Sequence, residues 1–327
     1  MSRQIEQLLN TLEKDKGIIF VKMTKNEAKM KLTDNTNYYK VSCFKKNFAK
    51  DRTTGKYVNL NFATLYDLSV MDARLRDVFL KMSLDLEHHL KKHFVKIITE
   101  APSIRHRGIL NQFDSYLQSI YTGTSPYRSI FRKILPSIND VTHYDYPIYS
   151  KYGTGTSLAR LKSNLPVWVL MEKMTSGDLV KFLNFYIVNR LANYSYFSNA
   201  NEFYKNVNKI RNAAAHNRPF LFNINNVAQV GSITRVSTFI SDKIKITFNK
   251  STDFTNAIRV VQNQKFHDIL SLLYLYDQYV EDPVTKSIRK RELLNVINRT
   301  KLNRDLYANH IELKKMFFTF EKLVKDF

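Results

Sequence analysis

Between about residues 61 and 99 apolar side chains recur mostly every three or four positions: Leu65, Leu68, Leu75, Phe79, Met82, Leu86, Leu90 and Ile97, with two steps of seven, the second of which holds Phe94. That period is one face of a helix, and charged residues fall mostly between the apolar ones. The same period predicts helices at 2–15, 24–33, 200–216, 264–280, 284–299 and 309–326, the second opening at Thr24 as its cap. "LPVWVLMEKMTSGDLVKFLNFY", 165–186, predicts a helix with Pro166 in its first turn and a break at Ser176-Gly177. Residues 101–160 are less regular: "SIRHRG" and "YTGTSPYRSIFRK" are basic and turn-rich, and "HYDYPIYSKYGTGTS" reads as a tyrosine-heavy loop. Around "SDK", Thr, Val and Ile alternate, which predicts a small β-hairpin inserted at 225–251. The expected fold is mainly α, in a single domain spanning 1–327. It comprises an N-terminal helical extension (1–60), a core (61–221), a β-like insertion (222–263) and C-terminal helices (264–327).

Composition sharpens this picture. Only 8 Gly and 7 Pro in 327 residues fit long helices with few tight turns, and 44% hydrophobic content argues against disorder. Lys and Arg outnumber Asp and Glu by 51 to 29, a net charge of +22. Such an excess implies a polyanionic partner held by phosphate contacts and counterion release, although a generally basic proteome would also produce it. One cysteine, Cys43, excludes an intramolecular disulfide and a cysteine zinc cluster. "MSRQIEQLLNTLEKDKG" lacks the apolar run of a secretory signal, and no apolar stretch reaches the roughly 18 residues of a membrane span. A cytoplasmic protein without membrane contact is the expectation.

The candidate chemistry lies in "KIRNAAAHNRPF", 209–220. On a helix at about 100° per residue, Asn212 and His216 share a face, and the long fork of Arg211 can swing toward it. His shuttles protons near neutral pH, Arg holds a phosphate in two-point contact, and Asn orients either. Together they suffice for metal-free RNA cleavage through the RNA's own 2′-hydroxyl. Spacing alone does not separate this from a helix-terminal His bonded to backbone. Arg304 and His310 in "RDLYANH" repeat it, and there the plain structural reading is preferred.

Context separates the two. "NFATLYDLSVMDARLRDVFLKMSLDLEHHLKKHF", "LPVWVLMEKMTSGDLVKFLNFY" and "IRNAAAHNRPF" resemble, in order, three elements of the Abi-like (AbiD/AbiF) abortive-infection family within the HEPN superfamily of helical ribonucleases. The first resembles the family's long helix with its Asp, Arg and central Glu (Asp72, Arg76, Glu87), the last its Arg-Asn-x3-His signature. Ser176-Gly177 stands where Phe-Gly is commoner. The resemblance implies a HEPN-type helical bundle and a metal-independent, toxin-like endoribonuclease without cofactor. Arg211, Asn212 and His216 would be catalytic, with Glu87 paired to Arg76 or Arg211 in support. It also implies RNA as substrate and a small structured non-coding RNA as antitoxin or guide. One Arg-Asn-His set is a thin inventory for acid and base roles, so a two-fold homodimer with its axis near Ala213–His216 is expected.

Other groups carry less. Asp85, His89 and His93 have the spacing of zinc ligands, but "HHLKKH" reads more simply as the basic, solvated side of a helix, and no metal is expected. Trp168 reads as core. Arg218 and the tracts holding Arg105, Arg107, Arg128, Arg132, Lys133, Lys286, Arg289, Lys290 and Arg291 are candidates for RNA contact, each equally readable as a solvated face. A catalytically silent RNA-binding protein is the competing function class. A DNA-binding regulator has less support, since no compact helix-turn-helix pattern is present.

Overall fold

The computed structural model describes residues 2–101, 106–152, 165–224 and 235–327. Among them every regular element is helical; extended backbone pairs only as isolated bridges, Ile19 with Asn61 and Lys50 with Tyr57. None of the described helices is long and apolar enough to cross a membrane. The chain forms two compact units, Met1–Ser83 with Lys209–Phe327, and Leu84–Asn208.

The first unit begins with α1 (Ser2–Lys14), α2 (Lys25–Asp34) and the short α3 (Tyr38–Ser42). Thr24 caps α2 in a full capping box with Glu27, so the cap read from sequence sets that helix start. Then comes α4 (Phe62–Glu100), 39 residues long. Its stripe from Leu65 to Phe94 is buried, but the last apolar position is Ile98, at 0%, rather than Ile97, because four residues beyond Phe94 is the position that stays on the face.

The second unit holds the end of α4, α5 (His106–Ser119), the single turns α6 (Leu135–Asn139) and α7 (Tyr146–Tyr149), α8 (Val167–Lys173), α9 (Ser176–Val188) and the start of α10 (Ser198–Ala215). Its centre is aromatic: Phe94 stacks on Phe197 at 3.8 Å and meets Phe182 edge-on at 5.0 Å. The expected irregularity of 101–160 conceals α5, whose buried Ile109, Leu110, Phe113 and Leu117 follow the helical period between turn-rich flanks. Pro166 is the cap residue of α8 rather than part of its first turn. The break sits at Met174-Thr175: Thr175 caps α9 through a box with Asp178, and Ser176 and Gly177 are its first turn.

The first unit is completed by α11 (Thr238–Thr247), α12 (Ser251–Val261), α13 (Gln264–Tyr279), α14 (Pro283–Leu302), α15 (Arg304–Tyr307) and α16 (Ile311–Asp326). The hairpin expected at 225–251 is therefore overturned wherever the chain is described; 225–234 lie outside the described residues. Ser237 caps a helix by accepting from the Ile240 amide at 3.3 Å, and Ile240 and Ile244, four apart, are both fully buried. Ile246, which completed the apparent alternation, is 78% exposed. Four-residue spacing of the buried pair overrides the β propensity of branched residues.

Candidate functional site

Helix α10 ends in a way its sequence dictates. The Arg218 amide donates to the Ala213 carbonyl at 2.8 Å and the Asn217 amide to Ala214 at 3.0 Å, with Asn217 left-handed at φ 54°. This is a Schellman closure: the alanines are the last turn, His216 is the cap residue, and Asn217 takes the position that otherwise favours glycine. Pro219 then prevents any continuation.

The segment leaving the helix is held by buried polar groups. Asp72 of α4, fully buried, accepts from the amides of Phe220 (2.6 Å) and Leu221 (2.7 Å), and its other oxygen pairs with Arg76 one turn along. Asn47 donates to the Leu221 carbonyl at 2.5 Å and accepts from the Ile224 amide at 2.9 Å. Lys265 donates to the Phe222 carbonyl at 2.6 Å with its ammonium 3.5 Å from the ring centroid of Phe222. Asn263 donates to the Ile224 carbonyl at 3.1 Å. Residues 220–224 thus form a strap whose polar backbone is satisfied by side chains rather than by secondary structure. The strap fixes where the last turn of α10 sits. Burial pushes the Lys265 ammonium down to about 8, against the opposing pull of Asp72 and Cys43.

On that last turn His216 is exposed, while Arg211 and Asn212 are half-buried. Arg211 Nη1 donates to Asn212 Oδ1 at 3.2 Å, and the His216 amide donates to the Asn212 carbonyl at 3.0 Å. Ala213 is half-buried and Ala215 exposed, so no bulky side chain of this turn screens the imidazole. Chemically the turn offers an exposed imidazole and a guanidinium held by a neighbouring amide, a set able to grip an anion and move a proton.

Other candidates fall elsewhere. Glu87 pairs with Lys91 at 2.7 Å and Arg76 is taken by Asp72, so of the two partners expected for Glu87, Arg76 or Arg211, the first is corrected to Lys91. Lys91 also donates to the Met174 carbonyl at 2.8 Å, so the Glu87 pair supports the end of α8. His93 is buried and shares a 3.4 Å hydrogen bond with Tyr196, contrary to the solvated-face reading of "HHLKKH". Trp168 is half-buried between Tyr149 (5.9 Å) and Tyr152 (5.7 Å). His310 is half-buried, packs edge-on against Phe48 at 4.5 Å and makes no side-chain cap hydrogen bond to the helix it precedes, so ring packing stands where a backbone bond was expected.

The basic tracts divide sharply. Lys286 is bound to Asp277, Arg289 to Glu292, and Lys290 to the carbonyls of Lys325 and Phe327, while Arg291 is exposed. Those first three cations are spent on internal structure. Arg128, Arg132 and Arg218 are exposed, and Lys133 holds both oxygens of Asp178 at 2.8 and 2.7 Å. Arg105 and the side chain of Arg107 lie outside the described residues.

Sequence reading missed Asn47, Asn263 and Lys265. Asn263 alone carries a local signal, as the cap of α13 accepting from the Lys265 amide at 3.0 Å. The other two act across long sequence separations, which no local pattern marks.

A mainly α chain presents Arg-Asn-x3-His at a capped, solvent-facing helix end. Residues 31–223 match the family model described as Abi-like protein, and the chain belongs to that family. The matched region closes at Asn223, inside the strap. No curated protein and no solved structure matches the chain significantly.

Proposed function

We propose that this Abi-like protein is a metal-independent endoribonuclease of abortive-infection defence, with Arg211, Asn212 and His216 as its catalytic set. The observation that carries the reading is the exposure of His216 on a bare alanine turn, five residues along the helix from Arg211, whose guanidinium donates to Asn212. In the reaction the 2′-oxygen of the RNA attacks the adjacent phosphorus as its proton passes to a base. The bond from phosphorus to the 5′-oxygen breaks as that oxygen receives a proton. The products are a 2′,3′-cyclic phosphate and a 5′-hydroxyl. Arg211 binds the non-bridging oxygens as charge builds on them. One imidazole serves one proton transfer at a time, so the reading includes a second copy of the chain supplying the other. It also includes a structured RNA partner that covers the basic surface or keeps the two sets apart.

The test is cleavage of end-labelled single-stranded RNA in EDTA. Wild-type protein is expected to leave cyclic-phosphate ends, with His216→Ala and Arg211→Ala each slower by about a hundredfold or more, the scale of general acid–base and charge-stabilising groups. Cleavage that requires Mg²⁺, or that persists in His216→Ala, refutes the mechanism. Salt-sensitive RNA binding with no product, unchanged in the double variant, would leave a binding protein instead.

A further inference from the structure

A second site lies wholly within the Leu84–Asn208 unit. Between α5, the loop that follows it and α9 is an open cavity of about 570 Å³, lined among others by Tyr121, Gly123, Tyr127, Arg128, Asp178 and Lys181. That volume is within the range of small-ligand pockets. Its rings are placed, not incidental: Tyr121 meets Tyr127 edge-on at 5.7 Å and remains 43% exposed. The Tyr121 phenol lies over Gly123, so a β-carbon at 123 would push the ring aside.

The loop itself is anchored. Buried Asp114 accepts from the Tyr127 hydroxyl (2.9 Å), the Ser129 hydroxyl (2.8 Å) and the Ile130 amide (3.0 Å). Arg128 stands between two of these anchored residues with its own side chain exposed. Electrostatics then point to an anion. Lys133 and Asp178 neutralise one another, leaving Arg128 and the exposed Lys181 as the excess charge of the lining. Two cations beside an accessible aromatic ring match a phosphate joined to a flat ring system.

We propose that this pocket binds a nucleoside 5′-phosphate unit, the base against Tyr121 and the phosphate at Arg128 and Lys181. The unit is either a free nucleotide or one residue of a single strand. The pocket is a site separate from the Arg-Asn-x3-His turn, and its occupancy does not require that turn to be catalytic.

The experiment uses full-length protein with two probes: labelled 5′-AMP in equilibrium dialysis, and a fluorescent 2′-O-methyl RNA hexamer, which lacks the attacking hydroxyl, in anisotropy. Saturable AMP binding is expected, with adenosine and ribose 5-phosphate each about tenfold weaker or worse, since each lacks one half of the recognition. Arg128→Ala with Lys181→Ala is expected to weaken AMP by about tenfold or more. Gly123→Val displaces Tyr121 without changing charge and is expected to do likewise, with unchanged helical content and melting in both variants. AMP binding without hexamer binding identifies a free nucleotide. Hexamer binding displaced by AMP identifies a strand, and both outcomes support the pocket. Absence of binding by both probes to folded wild-type protein overturns it, as does equal binding by all variants. EDTA cleavage measured on the same variants reports separately on the ribonuclease reading, since either activity can fail while the other persists.

Discussion

Lys265 shows how one residue ties the site to solution conditions. Its ammonium is committed to the Phe222 carbonyl and ring, yet burial lowers its proton affinity to about 8. An unfolded lysine titrates near 10.4. Between those values the unfolded chain binds more protons at this residue than the folded chain, so its contribution to stability rises with pH and is lost as pH falls through about 8. The neutral amine still donates to the Phe222 carbonyl, so the strap survives deprotonation while the desolvation of a charge is relieved. Urea unfolding of wild type and Lys265→Met, compared from pH 7.5 to 10, is expected to show the wild type gaining relative stability as pH rises, with a slope bounded at about 1.4 kcal/mol per pH unit. A constant difference across that range would mean that Lys265 is not desolvated. Asp72 is the complementary case. Its carboxylate joins a guanidinium on its own helix to two amides of the strap, which accounts for an Asp and an Arg one turn apart on α4 in the pattern resembling the family's.

At the scale of the element, the end of α10 rests on a left-handed asparagine. A branched residue at Asn217 would face a steric penalty of roughly 1–2 kcal/mol, whereas glycine has none. Asn217→Val is therefore expected to lower stability by that amount and to reduce RNA cleavage by displacing His216, while Asn217→Gly retains both; equal melting temperatures for the two variants would refute the cap assignment. This end was legible in sequence because its signals are local: alanines, then Asn and Pro. The stripe of α4 was equally legible, since its steps of three and four persist over nine turns. Helix α5 was not, because the basic, turn-rich residues on either side dominate a window of its length. The 238–247 helix was misread because Ile and Thr in alternation satisfy the strand pattern, and only burial distinguishes Ile244 from Ile246. The strap partners Asn47 and Lys265 had no local signature at all. What joins them to residues 220–224 is tertiary structure, which periodicity does not encode.

At the scale of the whole molecule, charge sets the terms of the proposed pairing. A chain of +22 that pairs two-fold must bring like charges together, and at low ionic strength that repulsion reaches far, with a screening length of about 30 Å at 0.01 M salt. The small side chains near the expected axis, half-buried Ala213 and exposed Ala215, permit close approach of two α10 ends but offer little apolar area to offset the repulsion. A polyanion lying across both copies would supply what the protein surface lacks, by neutralising cations on each and releasing counterions. Dimerisation and the binding of a strand that spans both copies should therefore be coupled, each strengthening the other. Light scattering in 20 mM salt is expected to give the mass of one chain alone and of two chains per particle once a 2′-O-methyl RNA is added. RNA affinity should fall steeply as salt is raised, by about a thousandfold or more between 50 and 200 mM if six or more phosphates are contacted. A particle that holds a single chain at saturating RNA while the protein still cleaves would mean that one imidazole completes both proton transfers in turn, and the shared-cleft arrangement would have to be abandoned.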